Sequence, residues 1–198
     1  MKAPLTPAEW SPNVILTDAD YLDRVTFDLI VNFERMLERR IEQGDLCRWL
    51  DCVALDGGLR PGDNQVQAFF LHERSKKQLN HFKPAVFADE LDAKAFRDNL
   101  GEFTLHSFPV ESIITKGELF TQSILALGEA EAVERIMIIG DVETYGSQIK
   151  NAIGRLTNKS VTLFAMEPQT GQGFSQEILG YSLMSALGIK SEEINQKI

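Results

Sequence analysis

The chain has 198 residues, 43% of them hydrophobic and 25% charged, with a formal net charge of −9. Such figures suit one globular domain, 1–198, with a sizeable core. The acidic balance argues against a protein built to coat nucleic acid, which must neutralise phosphates, and no apolar run approaches the roughly 20 residues of a membrane span. The opening stretch M-K-A-P-L-T-P-A-E-W-S-P carries three prolines and no long apolar core, so residues 1–12 read as an extended lead-in rather than a signal peptide.

Val14–Leu16 reads as the first strand, and Asp20 as the cap of a helix over Tyr21–Gln43. Its apolar residues, from Leu22 and Val25 through Leu29, Phe33 and Leu37 to Ile41, fall at three- and four-residue steps. Gly44 is the expected stop. Leu46–Leu55 reads as a second strand. That reading puts Cys47 and Cys52 on opposite faces, where they cannot pair, and points to a reducing cytosol. Asp56–Gln65 is a Gly- and Pro-rich turn, and Val66–His72 a third strand, hairpin-paired with the second. Asp92–Asn99 is expected as a helix, Phe103–Phe108 as a strand and Thr115–Leu127 as a helix. The apolar run Ile136–Ile139 is a buried strand. A helix near Tyr145–Leu156, a strand Val161–Ala165, a helix Gln176–Leu187 and a helical tail over 188–198 complete the chain. Strands alternating with helices predict an α/β three-layer sandwich with a central, mostly parallel sheet. The first strand is expected beside Ile136–Ile139.

Two apolar strands end in doubled acids. V-I-L-T-D-A-D carries Asp18 and Asp20, and I-I-G-D-V-E carries Asp141 and Glu143. Strand ends in an open α/β sheet are where such a fold presents its site. Carboxylates gathered there suit a hard divalent cation, which lowers the pKa of an attacking water and polarises a phosphodiester. The simpler reading is that Asp18 and Asp141 are helix N-caps. Glu118 lies in a helix first turn in K-G-E-L-F, and spacing alone does not bring it to the other acids. His72, His81 and His106 share no ligand spacing and read as structural residues. Lys76, Lys77, His81 and Lys83 form a basic cluster, read as a solvated face or a phosphate-steering patch. There is no Gly-rich phosphate loop and no Ser-His-Asp ordering.

Taken in order, these stretches resemble the NYN branch of the PIN-like nucleases. V-I-L-T-D-A-D-Y-L stands where that family has a strand ending D-G-x-N. Lys116-Gly117-Glu118 stands for its K-G-x-D, and Ile139-Gly140-Asp141-Val142-Glu143 for its S-G-D-x-D. The likeness covers about Asn13 to Ala165. It implies a PIN-like domain, a magnesium or manganese ion held by Asp18, Glu118, Asp141 and Glu143, and RNA as substrate, with Asp18 and Asp141 catalytic. Tyr21 departs from the family Asn, Ile139 from Ser, and Glu118 and Glu143 from Asp. Two alternatives stand beside it. One is the same fold with a degenerate pocket, acting as a binding or scaffold module toward RNA or a protein partner. The other is a haloacid-dehalogenase-like phosphohydrolase, in which Asp18 is the phosphorylated nucleophile and Asp20 the general acid.

Overall fold

In a computed structural model of the chain, residues 5, 7 and 9–198 are described; the remainder of the predicted lead-in lies outside them. Seven strands form one sheet: β1 (Asn13–Asp18), β3 (Asn64–His72), β5 (Lys94–Asp98), β6 (Gly101–Pro109), β7 (Arg135–Ile139), β8 (Ser160–Ala165) and β9 (Ser175–Ile178). Their spatial order is β5-β6-β3-β1-β7-β8-β9. All pairings are parallel except β5 with β6. The six parallel strands, numbered along the chain, lie in the order 3-2-1-4-5-6, the doubly wound arrangement. The order reverses between β1 and β7, which pair directly from Asn13↔Arg135 to Thr17↔Ile139. A small second sheet joins β2 (Gly44–Asp45) to β4 (Phe82–Lys83).

The sheet is covered on both sides, which makes three layers. Met137 and Ile139 belong to a core under α1 (Ala19–Leu37), α2 (Leu46–Asp56) and α5 (Leu179–Ala186). Ile136 and Ile138 belong to the opposite core, under α3 (Lys116–Glu129) and α4 (Val142–Ile153). The two-residue period of a strand sends alternate side chains to opposite faces. Both faces are buried here, so the run reads as continuously apolar. A five-residue helix, α6 (Ser191–Asn195), lies within the predicted tail. No helix among the described residues is long and apolar enough to cross a membrane.

Several local readings are corrected. Leu46–Leu55 is not a strand but α2, capped by Asp45, whose side chain accepts the Arg48 N–H. Its buried residues Leu46, Trp49, Leu50, Val53 and Ala54 fall at helical spacing. Cys47 and Cys52 are free thiols, and on a helix five residues leave them about 140° apart. With α2 intervening, β3 cannot form the predicted hairpin and pairs instead with β1 and β6, parallel to both. Asp92–Asn99 is not helical: Lys94–Asp98 is the edge strand β5, turned onto β6, with Phe96 stacked on Phe103 at 4.7 Å. Gln176 and Glu177 extend as β9 before α5 begins at Leu179. Helix α1 starts at Ala19 and ends at Leu37, where Glu38 takes a left-handed φ of 53°.

Candidate functional site

Asp18 and Asp141 end adjacent parallel strands, at the point where the strand order reverses. Each caps the helix that follows. One oxygen of Asp18 accepts the Tyr21 N–H at 3.1 Å, and one of Asp141 accepts the Thr144 N–H at 3.1 Å. The helix N-cap reading is therefore correct for both, and capping does not exhaust either carboxylate.

Asp18 is fully buried. The Tyr145 hydroxyl donates to its Oδ2, and the Lys116 ammonium lies 3.1 Å from its Oδ1. Lys116 also reaches Asp20 at 3.0 Å. Burial pushes the Asp18 pKa up, while Lys116, Tyr145 and the Tyr21 N–H oppose that rise. For Lys116 burial acts to lower the pKa, and Asp18 and Asp20 more than reverse it. Asp20 does not cap α1 as expected; it sits in the first turn and accepts the Glu73 N–H at 2.7 Å. That bond ties the carboxyl end of β3 to the start of α1.

Asp141 and Glu143 are held by a different cation. Arg24 reaches Asp141 at 3.3 Å and Glu143 at 3.0 Å, with its guanidinium 5.3 Å from the centroid of the Tyr21 ring. Asp141 also accepts the Thr144 hydroxyl at 2.9 Å. The Tyr21 hydroxyl is buried without a partner, and burial with the nearby Glu143 and Asp141 charges pushes its pKa up to about 12.

Glu118 does not join these acids. It closes a capping box at the start of α3, accepting the Thr115 N–H at 2.9 Å and the Thr115 hydroxyl at 2.8 Å. Those two bonds hold its pKa below the usual carboxylate value. The K-G-E stretch thus has three separate roles. Lys116 pairs with Asp18, Gly117 lets α3 approach the Tyr145 ring, and Glu118 caps. A Cβ on Gly117 would lie 3.2 Å from the Tyr145 ring. Gly140 has the same role more sharply, since a Cβ there would meet Ile149 at 2.6 Å and Phe120 at 2.8 Å. Tyr145 itself breaks the helical conformation of α4, at φ −135° and ψ 31°, as its ring turns toward Phe120 and Asp18.

The implied magnesium or manganese ion does not fit this donor set. Among the described residues no three carboxylates, imidazoles or thiols are placed to hold a metal. Both oxygens of Asp18 are engaged by protein donors, and an ammonium stands where a cation would enter. The residues missed in the sequence are Lys116, Arg24 and Tyr145 as partners of the acids. Arg24 lies one turn beyond Asp20 on α1, but its partners are Asp141 and Glu143, which no local spacing indicates. All three histidines lie against phenylalanine rings, His72 on Phe87, His81 on Phe27 and His106 on Phe69.

No curated protein and no solved structure matches the chain. Residues 7–194 match the model of a family of unknown function (DUF6621), and the protein belongs to that family.

Proposed function

We propose that the chain is a PIN-like domain whose acidic crevice is neutralised from within, so that it serves as a binding or scaffold module rather than a hydrolase. The observation that carries this is Lys116, 3.1 Å from the buried Asp18 and 3.0 Å from Asp20. Packed carboxylates need positive charge nearby. A hydrolytic site leaves that need to a metal, which then activates water. Here Lys116 and Arg24 meet it permanently, and neither can generate a hydroxide. The phosphohydrolase reading has less support, because a nucleophilic Asp18 needs an open oxygen and its two are bonded by Lys116, Tyr21 and Tyr145.

The nuclease reading keeps one supporting observation. The ends of β1 and β7 adjoin at the switch point, where a doubly wound sheet takes its ligand, and the two strands bring the acids there. A metal would have to displace Lys116. Melting curves with and without millimolar manganese, together with cleavage assays on short single-stranded RNA with manganese or chelator, separate the two. The module reading expects no melting shift and no cleavage. Manganese-dependent cleavage lost in both Asp18→Asn and Asp141→Asn would overturn it in favour of the nuclease.

A further inference from the structure

A cavity of about 510 Å³ lies between the carboxyl ends of β3 and β6 and the π-type turn Phe87–Leu91. Its size falls within the range of small-molecule sites, roughly 300–1,000 Å³. Val86, Phe87 and Pro109 give it an apolar wall. Phe87 is fixed by the His72 ring, stacked at 3.9 Å between centroids with 8° between planes. His72 is in turn held with Nδ1 2.9 Å from the Glu73 carbonyl. Burial lowers the His72 pKa, so at pH 7 the imidazole is neutral and adds no charge to the wall.

The rim is cationic in a chain of net charge −9. Lys76 and Lys77 line it, and among the described residues neither makes an ion pair. Arg74 is also there, 2.8 Å from Glu111. Asp89 is the one carboxylate of the lining outside such a pair. An apolar wall, two ammonium groups outside any ion pair, of which Lys77 also donates to the Arg74 carbonyl at 3.2 Å, and one unpaired carboxylate make three different demands on a ligand. A planar, weakly polar group meets the first. A phosphate meets the second, through charge-assisted hydrogen bonds. Vicinal hydroxyls meet the third, as acidic residues do on ribose in dinucleotide sites.

We propose that this cavity binds a ribonucleoside monophosphate, with the base against Phe87, Val86 and Pro109, the ribose hydroxyls on Asp89 and the phosphate on Lys76 and Lys77. A nucleoside lacks the group for the lysines, and inorganic phosphate lacks the group for the wall. Longer phosphate chains bring added negative charge toward Asp89 and Glu111. The proposal does not rest on the reading of the Asp18 crevice, since no residue of that crevice lines the cavity.

Calorimetric titration of the full chain with AMP, dAMP, adenosine and inorganic phosphate tests it. AMP is expected to bind, dAMP about tenfold more weakly for one lost hydrogen bond to a charged group, and adenosine and phosphate more weakly still. Lys76→Glu with Lys77→Glu should abolish AMP binding while leaving the melting temperature unchanged, and Asp89→Ala should remove the preference for AMP over dAMP. Lys116→Met should keep AMP binding, which separates this result from the fate of the crevice. No binding of AMP at 1 mM, on the order of the weakest affinity worth the name for such a ligand, overturns the proposal. So does phosphate binding as tightly as AMP, equal binding of dAMP, or AMP binding that survives the double lysine reversal.

Discussion

Asp18 and Lys116 are the residues on which the candidate site turns. The carboxylate is 0% exposed and the ammonium side chain 17% exposed. Removing one partner of a buried pair leaves the other charge without compensation, at a cost of about 3–5 kcal/mol. Lys116→Met should therefore lower stability by about 3 kcal/mol by denaturant unfolding, with Asp18→Asn in the same chain restoring most of it. The pH dependence has a definite sign. Without Lys116, the cation opposing burial is gone and the Asp18 pKa rises further. A carboxyl group whose folded pKa is raised contributes stability that is present below its unfolded value, near 4, and is lost as pH rises through the folded one. The deficit of Lys116→Met should thus widen as pH rises above the unfolded carboxyl value, and Asp18→Asn should flatten it. A deficit independent of pH would mean that the lysine stem, rather than its charge, matters.

At the scale of elements, packing distances and one acid pair carry the predictions. Gly140 lies where α3 and α4 close over the end of β7, with Ile149 and Phe120 already within 2.8 Å of a notional Cβ. Overpacked cores cost about 1–3 kcal/mol, so Gly140→Ala should destabilise by that much, and Gly146→Ala, whose nearest neighbour is at 3.4 Å, by less. The second element-scale device joins α2 to the edge strand β5. Asp51 on α2 feels the charge of Asp98, which accepts the Leu100 N–H at 2.8 Å. Burial first, then Asp98 and Asp45, raise the Asp51 pKa to about 7, and one of its oxygens is buried without a partner. This contribution is present below the unfolded carboxyl value and is lost as pH rises through about 7. The melting temperature should fall from pH 6 to pH 8, and Asp51→Asn should remove that fall. An unchanged slope in the variant would assign the pH dependence to other groups.

At the scale of the whole molecule, one sheet carries two cores. Trp49 is buried in the core under α1, α2 and α5, whereas Trp10 packs on the opposite one, 5.9 Å from Phe69. Because β1, β3 and β7 send alternate residues to both faces, neither core can be lost without the strands that hold the other. The fluorescence of Trp10 in Trp49→Phe and of Trp49 in Trp10→Phe should therefore report coincident unfolding transitions. Transitions separated by more than the stability difference of the two variants would divide the chain into two units.

The doubly apolar runs, their acid endings and the adjacency of β1 with β7 were legible in the sequence, because a strand buried on both faces must be apolar throughout and its end must meet the following helix with a capping acid. α2 is legible too, in the helical spacing of Leu46, Trp49, Leu50 and Val53, although its apolar density suits a strand equally. The edge strand β5 was not, since its alternation is weak and only Phe96 against Phe103 and the pairing with β6 fix it. Which charges neutralise the acids was a tertiary matter. Lys116 lies 98 residues from Asp18 in the chain and Arg24 117 from Asp141, and no local rule connects them. Local propensity told that Glu118 opens a helix, and its capping bond to Thr115 is the reason it is not a ligand. What a strand end does is written within a few residues, whereas what faces it across the crevice depends on how the helices α1, α3 and α4 close over the sheet.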